Sequence, residues 1–333
     1  RRVLMPLFKV FQENYLLTGV AIGCRVESPE WKNIYDLHSR FEFHVEFDFV
    51  TFDKLHNEDT NRIVAEFFYD LAVTLFDHTD EICGIPWYVV FSGAVRVSIN
   101  MCFLVVTTVY LILSGIASGE TWTAWFNSIA QLFYLNCAAT AYAEMSGRAR
   151  PKFYLTTYGD DGLLSCDDPH FNFSFLKEYF KSKGVSLTAP AKDGIEMDHI
   201  EMCDASFLKR RFVCRRERGA DRVLAPLALQ SIYKQIWFWV PSTIQSASDD
   251  WFNRINDIGS FLSVHQTAET RLIHENLINK FHEEYGDDRV FPTYDDCYQV
   301  VLDRVCTEET ASPLVFGRED RLAAVTRFLG LPE

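Results

Sequence analysis

Residues 156–165 read TTYGDDGLLS, two adjacent carboxylates behind a glycine with apolar or β-branched residues on both sides. Like charges forced together at a tight turn admit two readings. One is a solvated hairpin tip, where Asp and Gly are simply good turn formers. The other is a metal site, where a cation removes the repulsion. The surrounding KFYLTTYGDDGLLSC, residues 152–166, reads as strand, tight turn, strand.

Outward from the turn, FEFHVEFDFV (residues 41–50) alternates aromatic or β-branched with polar residues, the pattern of a strand with one half-buried face. Residues 53–77 shift to helical spacing, with Ile63, Phe67, Leu71 and Leu75 on one stripe. TWTAWFNSIAQLFYLNCAATAYAEMS (residues 121–146) reads as another helix, and FSFLKEYFKSKGVSL (residues 173–187) as an amphipathic helix closed by Gly184 and leading into a short strand. SFLKRRFVC and RVLAPLA resemble a hairpin around the charged turn RRERGADR, and from about Ser231 the chain reads as mostly helical, with Trp237, Trp239 and Trp251 as packing anchors. Strand, helices, hairpin, helix, strand is a ferredoxin-like antiparallel sheet in outline, an α+β fold. Its first strand and the hairpin sit side by side, so Asp48 and Asp160-Asp161 are expected to converge. Carboxylates held that close stay ionised only with a cation, and hard oxygen ligands select Mg²⁺ or Mn²⁺. A pair of such ions stabilises the attacking and leaving oxygens of an in-line phosphoryl displacement.

Composition sets the outer bounds. The 333 residues are 48% apolar and 15% aromatic, enough for a large core in one multi-part domain or two small ones. Nine cysteines, an odd number without a C-x-x-C pair, favour reduced thiols over a disulfide frame or a zinc knuckle. The start at Arg1-Arg2-Val3 lacks an initiator Met and a signal-peptide pattern, so the sequence reads as a piece of a longer product. A net charge of −14 argues against a nucleic-acid protein judged as a whole, although Arg1-Arg2, Arg148 with Arg150, and Lys209-Arg210-Arg211 are local basic clusters. The uncharged stretch from Ile99 to Ala117 is long enough to span a bilayer. Without positive-charge asymmetry it reads as a buried helix, and no transmembrane segment is expected.

Four motifs in order resemble those of picornavirus-like RNA-dependent RNA polymerases of positive-strand RNA viruses. EFDFVTFD, with Asp48 and Asp53, resembles motif A; YGDD (Tyr158 to Asp161) motif C; LTAPAKDG, with Lys192, motif D; and FLKR (Phe207 to Arg210) motif E. GCRVESPEW before motif A is similar to the SPEW segment found there. The resemblance implies a polymerase palm plus a mostly helical thumb, with the end of the fingers at residues 1–40, palm at 41–229 and thumb at 230–333. It implies template-directed RNA synthesis with two Mg²⁺ or Mn²⁺ ions held by Asp48 and Asp160, with Asp161 auxiliary. Asp53 takes the place of the ribose-recognising carboxylate, which can also cap the following helix. Lys192 takes that of the lysine that protonates pyrophosphate. Lys209 and Arg210 would hold the primer strand through its phosphates, and Arg2 or Arg1 the triphosphate.

Motif B in this family shows Ser-Gly, a Thr five positions after the Ser and an Asn nine after it. FSGAVRVSINM supplies Ser92-Gly93, but Val97 stands five on and Met101 nine on, so Asn100 serves only with a local slip. The implied partners are RNA template and primer, NTPs, a small protein primer and other viral replication proteins. The implied location is host cytoplasm, in membrane-associated replication complexes. A reverse transcriptase shares the palm but is disfavoured by Asp53, Gly159 and FLKR; a non-catalytic, RNA-binding polymerase relative is the other alternative.

Overall fold

The computed structural model describes residues 4–99, 101–105, 108–112, 122–189, 196–240 and 243–307. The chain runs through α1 (Leu4–Glu13), α2 (Tyr15–Thr18), α3 (Pro29–His38), β1 (Phe43–Phe49), α4 (Phe52–Leu55), α5 (Glu58–Leu75), β2 (Glu81–Ile82), β3 (Ile85–Pro86) and α6 (Trp87–Ile99). Then come β4 (Met101–Val105), β5 (Thr108–Ile112), α7 (Thr123–Ser146), β6 (Phe153–Tyr158), β7 (Asp161–Cys166), α8 (Phe173–Ser182) and β8 (Leu187–Thr188). Four short strands follow, β9 (Ser206–Phe207), β10 (Arg210–Arg211), β11 (Val213–Glu217) and β12 (Ala220–Leu224), before α9 (Leu229–Trp237), α10 (Ala247–Ser263), α11 (Ala268–Tyr285) and α12 (Tyr294–Cys306). By internal contact the described residues form two compact units, one of residues 4–24 and 37–201, the other of residues 25–36 and 202–307.

The first unit is built on an antiparallel sheet in the order β6-β7-β1-β8. This is the expected α+β arrangement, with β1 and β7 at its centre. The two-residue side-chain period of β1 sends Val45, Phe47 and Phe49 to one face, where they are buried. Leu164 and Cys166 of β7 and Leu155 of β6 pair into the same layer. Over this face packs α7, which is apolar on most sides because it also touches α4, α5 and α8. Ile129, Leu132 and Leu135 of α7 are buried, each worth roughly 1.5–3 kcal/mol relative to exposure. Asn57 caps α5 by accepting from the Thr60 N–H, and α5 buries Val64, Phe67, Phe68, Leu71 and Ala72.

The opposite face of the sheet is polar. His44, Ser165 and Tyr154 lie in one cross-strand row, Glu46, Leu163 and Thr156 in the next, and Asp48, Asp161 and Tyr158 at the end. His38 covers this face, its Nδ1 2.7 Å from Ser165 Oγ and its Nε2 2.8 Å from Thr156 Oγ1. His44 Nδ1 reaches the same Ser165 hydroxyl at 2.7 Å. Complete burial, with His44 adding to it, pushes the His38 imidazole down to about 3, so it is neutral at neutral pH.

In the second unit Trp31 stacks on Phe212 at 4.4 Å and donates its indole N–H to the Arg211 carbonyl at 3.3 Å. Three of its helices start on matching caps: Ser246 for α10, Thr267 for α11 and Thr293 for α12, the last two as reciprocal capping boxes. Leu227, Ile232, Ile258, Leu262 and Tyr294 form one core, and Leu224, Val264, Val301, Leu302 and Val305 another.

Three expectations are corrected. The apolar stretch read as one buried helix contains an antiparallel strand pair, Met101–Val105 with Thr108–Ile112. An unbroken apolar run has no period to separate helix from strand, and its β-branched content favours the strand. The charged hairpin pairs Val213–Glu217 with Ala220–Leu224, while Ser206–Phe207 and Arg210–Arg211 close a smaller hairpin of their own. Trp237 is 80% exposed rather than a packing anchor, whereas Trp239 and Trp251 pair with ring centroids 5.4 Å apart. Cys24, Cys83, Cys137, Cys166, Cys203, Cys214, Cys297 and Cys306 are free thiols. No helix of the described residues is long and apolar enough to cross a membrane.

Candidate active site

The register of the sheet sets Asp48 directly opposite Asp161 across β1 and β7. Directly opposed residues carry their Cβ atoms on one face about 4.5–5.5 Å apart. Two carboxylates so placed repel, and a hard cation shared between them would remove the repulsion. Asp160 stands beside them at the turn, exposed to solvent. Among the described residues no group of three His, Cys, Asp or Glu side chains is gathered closely enough to hold a metal ion. The donors that fit a cation are thus the opposed pair, with Asp160 next to it along the chain. An all-oxygen set of this kind suits Mg²⁺ or Mn²⁺.

Tyr158 pairs with Asp161, so Gly159 and Asp160 are the two central residues of the hairpin. Gly159 has φ +67° and Asp160 is not left-handed, the pattern of a type II′ turn, for which Gly is the favoured first residue. Two fully buried side chains of α7 hold the backbone of this turn. Ser128 Oγ accepts from the Gly159 N–H at 2.9 Å, while Gln131 Nε2 donates to the Gly159 carbonyl at 3.1 Å and to the Asp160 carbonyl at 2.6 Å. Gly162 makes that reach possible, because a Cβ there would stand 2.6 Å from Gln131 Oε1 and 3.1 Å from Phe47 Cζ. The carboxylates are therefore mounted on a turn that is fixed through its main chain.

Asp53 lies half-buried in the first turn of α4. His56, just after α4, is fully buried, with Nε2 2.9 Å from Asn127 Oδ1 and Nδ1 3.3 Å from the Tyr134 hydroxyl. Burial lowers the His56 imidazole below its usual value, while the Asn127 bond and the nearby Asp53 charge pull the other way. None of these partners of His56 was expected from sequence.

Ser92 and Gly93 lie exposed within α6 rather than in a loop. Arg2, Asn100 and Lys192 lie outside the described residues. Lys209 and Arg210 belong to the second unit, where Leu208 and Lys209 form the tip of the β9–β10 hairpin with φ +55° and +58°. Lys209 is exposed. Arg210 turns inward: its Nη1 donates to the Ala225 carbonyl at 2.7 Å, Glu27 lies 3.8 Å away, and its guanidinium covers the Phe261 ring.

The spacing sought at Ser92 recurs without a slip further on. Ser118-Gly119 is followed by Thr123 five positions after the Ser and by Asn127 nine after it. Ser118 and Gly119 lie outside the described residues, whereas Thr123 and Asn127 open α7, the helix that grips the Gly159 turn. The signal is legible in the sequence, since this Ser-Gly alone has both Thr and Asn at the family's distances.

A sheet with opposed aspartates at a strand end and a hairpin turn, its other face covered by helices, has the architecture of a polymerase palm. A family profile described as viral RNA-dependent RNA polymerase matches residues 1–285, and the chain belongs to that family. It is 27% identical over 247 residues to the RNA1 polyprotein of Cycas necrotic stunt virus, covering 70% of this chain and 10% of that polyprotein. It is 24% identical over 276 residues to the replicase polyprotein of Cricket paralysis virus, covering 73% of this chain and 14% of the relative. Among solved structures the Sicinivirus 3Dpol RNA dependent RNA polymerase is similar in fold, with a TM-score of 0.71 and 17% identity over 92% of this chain and 60% of that one. The chain thus spans a small part of the curated polyproteins it matches.

Proposed function

We propose that this chain carries the catalytic palm of an enzyme that performs template-directed RNA synthesis, transferring a nucleotide from an NTP to an RNA 3′-hydroxyl in viral genome replication. The observation that carries the reading is the register of Asp48 against Asp161 beside Asp160, on a family-matched sheet. Asp48, Asp160 and Asp161 are the side chains that would hold two Mg²⁺ or Mn²⁺ ions. Such ions, when bound, lower the pKa of the attacking hydroxyl and neutralise charge on the leaving phosphate.

The chain's own residues do the rest. Ser128 and Gln131 keep the turn from shifting, which holds the two adjacent carboxylates in one geometry while substrate exchanges. Asp53 and Asn127 form the ribose check, with Ser118-Gly119 and Thr123 completing motif B in place of Ser92, Gly93 and Asn100. Lys192 is the proton donor to pyrophosphate, and Arg2 contacts the triphosphate. Lys209 meets primer phosphates, and Arg210 positions the hairpin that carries Lys209. The fingers, palm and thumb limits at 40 and 229 belong to this reading. So do RNA and NTP binding, a small protein primer with other replication proteins, and work in the host cytoplasm on membrane-associated complexes.

Primer extension by the complete protein that contains this chain, with Mg²⁺ and with EDTA, tests the proposal. Asp48→Asn, Asp160→Asn and Asp161→Asn are each expected to lower incorporation by at least a hundredfold while RNA binding persists. Undiminished incorporation by Asp48→Asn would remove the site assignment; RNA binding without extension by the wild type would favour the non-catalytic relative.

A further inference from the structure

His56 touches one of the two residues assigned to sugar recognition and feels the charge of the other. Asp53 is close enough to act electrostatically on its ring, and Asn127 meets its Nε2 at 2.9 Å. With the Asn127 oxygen facing the ring, the rest of the contact set is satisfied when Nε2 carries the proton. Tyr134 Oη is 3.3 Å from His56 Nδ1 and 3.1 Å from Thr60 Oγ1. Burial raises the Tyr134 phenol above its ordinary range, so it keeps a proton to donate. A run of donors follows: Thr60 hydroxyl to Tyr134, Tyr134 hydroxyl to His56 Nδ1, and His56 Nε2–H to Asn127 Oδ1. The reverse tautomer would set a lone pair of Nε2 against the oxygen of Asn127.

We propose that His56 is a positioning residue for sugar selection: by donating to Asn127 Oδ1 it commits the acceptor half of that amide and leaves the N–H₂ half to donate to the 2′-hydroxyl oxygen of an incoming ribonucleotide. Without His56 the Asn127 amide can turn over, and its oxygen and nitrogen exchange places. A turned amide accepts where it should donate. A 2′-deoxynucleotide leaves the fixed donor unmet in a nearly dry site, and this is the source of discrimination. The inference rests on the polymerase reading above and adds to it the group that sets the direction of the check.

The experiment compares ATP with dATP incorporation opposite template uridine by the complete protein. His56→Leu, which removes the donor, is expected to lower the ratio of kcat/KM for ATP over dATP about tenfold. Asn127→Ala should lower it as much, and the double variant no further, because both act through one contact. His56→Gln retains an N–H and is expected to restore most of the ratio. An active His56→Leu with wild-type discrimination overturns this inference alone. Failure of the wild type to extend RNA overturns the proposed activity and this inference with it. A readout independent of catalysis and of any variant is the ¹⁵N spectrum of the wild-type histidines. Nε2–H with bare Nδ1 at His56 is expected, and Nδ1–H with bare Nε2 overturns the inference even where His56→Leu does not fold.

Discussion

Two hairpins with two-residue turns carry charged residues expected at the site, and they are stabilised by opposite means. In Tyr158 to Asp161 the first central residue is Gly159, whose φ of +67° brings no steric penalty, and Ser128 and Gln131 saturate the turn's main chain. In Phe207 to Arg210 both central residues, Leu208 and Lys209, are left-handed although neither is glycine. Each costs roughly 1–2 kcal/mol in that region. What offsets this is tertiary: Ala228 N–H donates to the Lys209 carbonyl at 2.8 Å, Arg211 N–H to the Pro226 carbonyl at 3.2 Å, and the Arg210 guanidinium to Ala225. One turn is correct by its own sequence and then clamped; the other exists only because its surroundings enforce it.

Acid is expected to weaken the first hairpin most. His38, held neutral with a pKa of about 3 against 6.5 when unfolded, bonds Ser165 of β7 and Thr156 of β6. Its folded pKa is depressed, so the unfolded chain binds the extra proton between those values. The contribution is fully present above pH 6.5 and falls by roughly 1.4 kcal/mol per pH unit below it. Hydrogen exchange at pH 7 and pH 4.5 should show protection in β6 and β7 falling by about two orders of magnitude or more. Equal loss in β9 and β10 would erase the contrast.

Next in size is Gln131→Ala, which leaves the buried Gly159 carbonyl and the part-buried Asp160 carbonyl without their donor and is expected to cost about 2–3 kcal/mol in urea unfolding. It should also reduce nucleotide incorporation far more than RNA binding. A smaller pair of reciprocal changes sharpens the comparison. Gly159→Ala meets only ordinary contact with Ala124 at 3.9 Å, so its cost is conformational, about 1–2 kcal/mol. Leu208→Gly relieves strain but frees the unfolded chain, giving a net gain of about 0.5–1 kcal/mol. Thermal unfolding of the two variants should therefore move in opposite directions.

These two hairpins also mark what the sequence made legible. Period-two alternation in residues 41–50 and the Gly-Asp turn in YGDD are local signals, and they located β1, β6, β7 and the convergence of Asp48 with the hairpin. The uniform apolar run after Ile99 offered no period, so its strand pair was missed. Ser-Gly occurs four times, at Ser92, Ser114, Ser118 and Ser146, and only Ser118 has Thr and Asn at the family's distances, so the dipeptide alone misleads towards Ser92. Ser128, Gln131 and His56 were missed for a different reason. Each acts on a group far away in sequence, and a buried Ser, Gln or His on an apolar helix or loop has no pattern of its own. The inward turn of Arg210 likewise depends on Ala225 and Glu27, which no local signal links to it.

The Ser165 hydroxyl has one hydrogen to give, yet it meets two histidines at 2.7 Å. Donating to one ring while accepting from the other satisfies the hydroxyl and both rings, and in that arrangement the tautomers of His38 and His44 are coupled, with the rotor of Thr156 following through His38 Nε2. A change at any one of these four positions strands a partner in the dry face of the sheet. Across related polymerases they should therefore vary as a block, kept together as polar residues or replaced together by apolar ones, and an alignment in which position 165 loses its hydroxyl should show both histidines gone as well.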